Sequence, residues 1–141
     1  MAIKQISVFV ENKQGVLSEA VAALSDAGIN LRALSIADTQ EFGILRVIVS
    51  DTDKAVAVLK DSTLVKVTDV IAVKMDDEQG ALHNVLKVLE DAKINIDYSY
   101  AFTGAKSGAY VVIRVDSVEV AEKALIDKGI EVLAEADVAS I

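Results

Sequence analysis

An internal repeat limits the folds open to this chain more than any other feature of its sequence. When the 141-residue sequence is shifted by 65 positions, 14 of the 46 residue pairs from 6/71 to 51/116 are identical, without a gap. The identities include Gly15 with Gly80, Gly43 with Gly108, and Asp51 with Asp116. Self-similarity at a fixed period indicates two copies of one structural unit. We therefore expect two modules, over residues 1–68 and 69–141.

The first copy predicts a strand, a helix, two more strands and a second helix. Alternating β-branched residues favour strands over 3–10, 30–37 and 43–50, and apolar residues at helical spacing favour a helix over 16–27. Asp51 can cap a second helix that ends near residue 60. Gly28 is expected in the left-handed conformation that commonly ends a helix.

The second copy repeats this order. Strands are predicted over 66–75, 95–102, 108–115 and 130–138, helices over 81–92 and from Asp116 to before Gly129, and a hairpin loop at 103–107. Asp116 and Glu119 have the spacing of a capping box, and Lys93 stands at the position of Gly28. The βαββαβ order of each copy is that of the ferredoxin-like fold. This α+β fold has an antiparallel sheet with its helices on one face.

The junction between the copies predicts a single long strand. Residues 68–73 are similar to 136–141 at an offset of 68 and to the opening strand at an offset of 65. Segment 65–75 is therefore predicted to end copy one and to begin copy two, and the composition shows no linker. We expect the modules side by side, with their antiparallel sheets joined and the helices on one face. The other face would expose apolar positions such as Val8, Val47 and Val112 or their neighbours, which favours a homodimer or higher homo-oligomer.

Composition excludes several classes of function. The net charge of −8, from 14 basic and 22 acidic residues, argues against nucleic acid or a membrane as a partner. The chain has no Cys and one His, too few ligands for an ordinary metal site, so we expect no metal and no cofactor. No secretory signal and no stretch of membrane-spanning length is found, and a cytoplasmic location is therefore expected.

The candidate binding residues lie in the loop before the first helix of each copy, NKQGVL at 12–17 and DEQGAL at 77–82. A glycine at a helix N-terminus lets a ligand approach backbone N–H groups, which suit a carboxylate or a phosphate. The acidic and amide side chains before it could receive an ammonium group, so the loop would be complementary to a free amino acid. The alternative is that Gly15 and Gly80 only close strand-to-helix turns.

These loops, with the segments AGINL at 27–31 and AKINI at 92–96, resemble the ACT domain, a small ligand-binding module of amino-acid-regulated enzymes. The resemblance covers nearly the whole chain twice. It implies modules that pair through their second strands and bind amino acids between one module's glycine loop and the other module's second strand. The implied binding residues are Asn12, Gly15, Val16 and Leu17 in one site, Asp77, Gly80, Ala81 and Leu82 in the other, and Asn30 and Asn95 from the second strands.

Several of these positions keep a second interpretation. Asn30 and Asn95 would serve equally well as turn residues that satisfy local backbone groups. The family's usual Pro before the loop glycine is replaced by Gln14 and Gln79, which makes each loop less stiff. His83, in the first turn of its helix, is either a solvated surface residue or a ligand contact. The two loops also differ in charge, so we expect unequal ligand affinities.

An aromatic stripe in copy two is the remaining candidate. Tyr98, Tyr100 and Phe102 alternate and therefore share one face of a strand. They either pack at a sheet or dimer contact or form a wall of the second ligand site.

Other functions of the βαββαβ fold lack their residues here. Acylphosphatase chemistry needs an Arg in the first loop and metal chaperones need a Cys pair there, and residues 11–15 and 76–80 contain neither. An RNA-recognition module needs exposed aromatic residues on its central strands and basic charge, whereas this chain has a net charge of −8. We therefore predict a non-catalytic regulatory protein that binds an amino acid and acts through association with itself or with a regulated enzyme. The alternatives are an oligomerisation protein without a ligand or, less favoured, a small ferredoxin-fold enzyme.

Overall fold

The chain forms two compact units in the computed structural model, which describes residues 2–38, 40–103 and 108–141. One unit is Lys4–Thr68, and the other is Asp69–Ile141 together with the residues before Lys4. Of the predicted hairpin loop at 103–107, only Thr103 is among the described residues, and Thr39 in the turn of copy one also lies outside them. No helix in the described part of the chain is long and apolar enough to cross a bilayer.

The first unit has the order of elements predicted from the sequence. Its elements are β1 (Ile3–Glu11), α1 (Val16–Asp26), β2 (Leu31–Asp38), β3 (Phe42–Val49), α2 (Thr52–Leu59) and the first part of β4 (Leu64–Met75). Hydrogen bonds join its strands in the order β2-β3-β1-β4. The predicted cap of α2 is confirmed, because the Asp51 carboxylate accepts a hydrogen bond from the Lys54 N–H at 3.0 Å.

The second unit repeats this arrangement. After β4 it contains α3 (Ala81–Asp91), β5 (Ile96–Thr103), β6 (Ala109–Val115), α4 (Val118–Asp127), β7 (Glu131–Val132) and a further helix, α5 (Glu135–Ala139). Its strands follow the order β5-β6-β4-β7. Two ferredoxin-like βαββαβ units are therefore confirmed. The prediction of one long strand at the junction is also confirmed, because β4 runs unbroken through 12 residues.

One face of each sheet packs against the helices. In the first unit this core includes Val8 and Val47, both fully buried. The expectation that these two valines lie on the face without helices is therefore wrong. The neighbours of Val8 on β1, Ser7 and Phe9, belong to that face because side chains alternate along a strand.

A difference of one position between the two hairpins explains this error. In the first copy Val8 pairs with Leu45. In the second copy its equivalent, Val73, pairs with Val111, one position later than the constant offset predicts. The second copy therefore has one more residue between its second and third strands, and a slip of this size exchanges the two faces of a strand. The offset had aligned a core valine of β3 with Val112, which lies on the face away from the helices and is itself buried rather than exposed.

The same extra residue moves the start of α4. Its N-cap is Ser117, one position after Asp116, the residue that the constant offset aligns with Asp51. This serine makes no side-chain capping bond. Asp116 instead accepts a hydrogen bond from the adjacent Ser117 N–H at 2.9 Å. The capping box predicted for Asp116 and Glu119 is therefore wrong.

The predicted strand at 130–138 is wrong beyond Val132. The ladder between β7 and β4 contains only two residue pairs, and the chain then turns into α5. The Asp137 carboxylate accepts a hydrogen bond from the Ala134 N–H at 2.8 Å, and Val138 is buried. Such a local bond from an Asp side chain competes with strand pairing. The similarity of 136–141 to 68–73 gives no sign of this bond.

The second strand of each copy is an edge strand of its own unit. Among the described residues, β2 pairs with β3 and β5 pairs with β6, and each strand ends the order of its unit. Both strands have a register irregularity at the corresponding place, between Leu31 and Ala33 and between Ile96 and Tyr98. The family resemblance implied that the two modules of the chain pair through their second strands. In the described part of the chain β2 and β5 each pair only with the third strand of their own unit, so this expectation is wrong within the chain. Pairing through second strands is left for contacts between chains only.

Candidate functional site

The two glycine loops have nearly the same backbone conformation. Gly15 and Gly80 are the N-cap residues of α1 and α3, with φ and ψ of +87° and −16° and of +90° and −9°. A Cβ atom added at either glycine would meet nothing within 4 Å. Glycine is therefore favoured here by the left-handed backbone and not by lack of space. The repeat predicted from the sequence extends to the dihedral angles of the loops.

A glycine N-cap leaves the start of each helix open to a ligand. Most N-cap residues have a side-chain oxygen that accepts from the second or third helical N–H. Gly15 and Gly80 have none, and no side-chain capping bond is found at α1 or α3, whose residues all lie in the described part of the chain. Backbone N–H groups and the positive end of the helix dipole are then available to an anion.

Counting from each glycine shows which N–H groups these are. The N–H groups of Val16 and Ala81 donate back into their own loops, to the carbonyls of Lys13 and Glu78, both at 3.3 Å. The second and third helical N–H groups therefore remain, and they belong to Leu17 and Ser18 in α1.

The corresponding N–H groups in α3 are those of Leu82 and His83. Leu17 and Leu82 were among the predicted residues. The backbone N–H groups of Ser18 and His83 are not among the residues predicted from the sequence, although the position of each glycine is enough to find them.

The charge around the two loops differs. In the first loop the Lys13 ammonium lies 2.9 Å from the Glu11 carboxylate, and this hydrogen-bonded carboxylate raises the pKa of Lys13 above its ordinary value. The second loop contains three carboxylates, Asp76, Asp77 and Glu78, and no basic residue. Every residue of 11–15 and 76–80 is exposed. The second loop is therefore the better acceptor for an ammonium group.

The two predicted asparagines are not near the glycine loop of their own unit. Asn30 lies at the end of the sheet where its N–H donates to Ser50 Oγ and its carbonyl accepts from the Ser50 N–H. The glycine loop lies at the other end, where the Asn12 N–H donates to the Glu41 carbonyl at 3.0 Å. The eight residues of β2 separate these ends by about 26 Å, at 3.3 Å per residue.

Asn95 is placed in the same way in the second unit, and its side chain donates to the Asp97 carboxylate at 3.3 Å. These contacts support the local interpretation of both asparagines. A role in ligand binding would require that they reach the glycine loop of another module.

The aromatic stripe lies on the face of β5 away from the helices. Tyr100 and Phe102 pair with Val112 and Tyr110 of β6, which alternate with the core residues Val111 and Ile113. The rings of Phe102 and Tyr110 are stacked with centroids 5.1 Å apart, and both residues are buried. This geometry supports the packing interpretation for Phe102.

A cavity of about 340 Å³ lies beside the second glycine loop, inside the second unit. The loop residues Asp76 and Glu78 line it, together with the start of α3 and the turn between α4 and β7. Its lining also includes Lys74 and Glu131, neighbouring residues of β4 and β7 whose charged groups are 3.7 Å apart. Among the described residues, no group of three or more side chains could hold a metal ion.

Comparison with protein families identifies this arrangement. The model of the ACT domain pair family matches residues 1–141. The chain therefore belongs to the ACT domain pair family, and the resemblance seen in its loops is confirmed. A comparison with curated proteins finds no match.

Solved structures give the same fold. The protein BT0572 from Bacteroides thetaiotaomicron is 41% identical, with a TM-score of 0.93 over 100% of this chain and 98% of that chain. The ligand-free regulatory subunit of aspartate kinase from Thermus thermophilus is 14% identical, with a TM-score of 0.66 over 89% of this chain and 90% of that chain. A structure of aspartokinase alpha and beta subunits gives 20% identity and a TM-score of 0.62, over 88% and 90% of the two chains.

Proposed function

We propose that this chain is a non-catalytic regulatory protein that binds a free amino acid at its glycine loops. The observation that carries the proposal is the uncapped helix N-terminus that follows the left-handed glycine in each unit. The N–H groups there can bind a carboxylate, and the acidic and amide side chains before each glycine can accept from an ammonium group. Membership of the ACT family supports the same ligand class.

Each predicted binding residue is given a role in this proposal. Gly15 and Gly80 keep the backbone accessible, and Leu17 and Leu82 donate their N–H groups to the ligand carboxylate. Asn12 and Asp77 are the proposed acceptors for the ammonium group. Val16 and Ala81 shape the first helical turn, because their own N–H groups are used within the loops. Asn30 and Asn95 would contribute only from another module.

We further propose that the protein works as a homodimer whose contact includes the edge of β2. Leu34 and Ile36 are about half exposed, at 49% and 47%, and both lie on this edge strand. An exposed edge with apolar side chains favours pairing with a second strand. Ligand binding would then act by changing this association or the association with a regulated enzyme. A cytoplasmic location stays a prediction.

Calorimetric titration with each of the twenty amino acids tests the proposal. The parent protein should bind at least one of them. Gly15→Val and Gly80→Val should each remove binding at one loop, because a branched side chain blocks approach to the backbone N–H groups. Gly28→Val is the matched control, since Gly28 also has a positive φ of +73° and open space around its Cβ position but belongs to neither loop.

The control separates loss of a site from loss of stability. All three substitutions put a side chain into the left-handed region and should destabilise the fold by a similar amount, about 1–2 kcal/mol. If the two loop variants bind amino acids as the parent does while folded, the loops are structural turns. If no amino acid binds to the parent, a ligand-free oligomerisation protein is the better explanation.

A further inference from the structure

Part of the wall of the cavity beside the second glycine loop is apolar. Met75, Val85 and Ile130 line it, and all three belong to or pack against the hydrophobic core of the second unit. Its volume of about 340 Å³ is within the range of small-molecule sites, and polar side chains make up the rest of its lining. The aliphatic part of one amino-acid side chain would find apolar surface here.

The polar lining of the same cavity is negative. Its ionisable residues are Lys74, Asp76, Glu78 and Glu131, which gives a formal charge of −2. Lys74, the one cation among the described lining residues, already lies near Glu131. Asp76 and Glu78 form no ion pair with any other residue in the described part of the chain. A ligand that ends in a positive charge would therefore meet two carboxylates that no ion pair among the described residues neutralises.

The first copy does not have this charge pattern. Lys13 stands in its loop where Glu78 stands in the second, and the Lys13 ammonium is bound to Glu11. The negative charge therefore belongs to the second copy and is not a general property of the repeat.

We infer that this cavity selects an amino acid with a cationic side chain, whose aliphatic part packs on the apolar wall residues and whose charged end reaches the carboxylates. The inference rests on the proposed binding of an amino acid at the same loop and adds the class of the ligand. A basic side chain has both parts, an apolar stem and a charged end.

Titration with L-lysine and L-norleucine tests this inference, because norleucine has the same four-carbon side chain without the ammonium group. We expect lysine to bind about five- to tenfold more tightly at low salt, as for one or two exposed ion pairs. The preference should decrease as salt is added. Glu131→Gln should lower the preference for lysine over norleucine by about threefold. Lys74→Gln should raise this preference, although the two residues are neighbours.

Opposite effects of these two neighbours would exclude a general disturbance of the cavity. Glu119→Gln is the control, because Glu119 is exposed in the same unit and does not line the cavity. Equal binding of lysine and norleucine, or equal effects of Glu131→Gln and Lys74→Gln, would overturn the inference and leave the proposed function standing. Lysine binding that is lost in Gly15→Val and kept in Gly80→Val would also overturn it. Absence of binding by any amino acid would overturn both.

Discussion

Lys93 shows how the two copies of the repeat differ at a single residue. It has a φ of +58°, the one positive value among the described non-glycine residues, at the position where copy one has Gly28. The left-handed conformation costs a non-glycine residue about 1–2 kcal/mol, and the greater freedom of glycine in the unfolded chain offsets part of this. We expect Lys93→Gly to raise the free energy of unfolding by about 0.5–1 kcal/mol, measured by urea denaturation.

The reciprocal substitution in copy one provides the control. Gly28→Lys introduces the same side chain at a φ of +73° with nothing within 4 Å of its Cβ position, and should lower the free energy of unfolding by a similar amount. An unchanged or lower stability of Lys93→Gly would contradict the strain argument and would mean that the lysine side chain stabilises the turn. Both conformations could be predicted from the sequence because helix termination is a local property.

The N-termini of α2 and α4 differ because of the extra residue in the second hairpin, and this difference can be tested. Asp51 caps α2 through the Lys54 N–H, whereas Asp116 precedes the N-cap of α4. We expect Asp51→Ala to lower the free energy of unfolding by about 1 kcal/mol. Asp116→Ala should change it by less than about 0.5 kcal/mol, as for an ordinary surface position. Denaturation of the two variants under the same conditions gives the comparison, and an equal loss would show that Asp116 acts as a cap.

The elements show which features of the fold the sequence could predict. Strand and helix order, the long β4 and the glycine loops follow from periodicity and turn chemistry, which are local. The extra hairpin residue was not visible, because the chance alignments of Gly43 with Gly108 and of Asp51 with Asp116 hid it. The helix α5 was missed because the Asp137 cap and the burial of Val138 outweigh a strand-like pattern.

The candidate site was predictable to a similar extent. Both loops and their glycines were identified, since the repeat aligns them and the glycine conformation follows from the turn. The second and third helical N–H groups were only partly identified. The cavity that includes Lys74 and Glu131 could not be found, because it depends on the pairing of β4 with β7 and on a turn distant in sequence.

At the scale of the whole molecule, the edge strand β2 is the feature that assembly would use. Leu34→Asp combined with Ile36→Asp would place two like charges on this edge, and charged side chains on an edge strand oppose pairing. We expect the parent protein to sediment as a dimer at tens of micromolar, within the ordinary range for such measurements, and the double variant to sediment as a monomer. Val120→Asp is the matched control, because Val120 is 53% exposed on α4 and does not belong to an edge strand.

Chemical cross-linking identifies the edge independently of these charges. The chain contains no Cys, so Ser35→Cys introduces a single thiol in the middle of β2. In an antiparallel pair formed about a two-fold axis, residues near the middle of the strand lie opposite their own copies. A short bismaleimide should therefore link Ser35→Cys chains into covalent dimers, and it should not link Ser62→Cys chains, whose thiol follows α2. A dimer that forms with the Leu34→Asp and Ile36→Asp changes in place, or one linked through position 62 and not 35, would show that the chains associate through another surface.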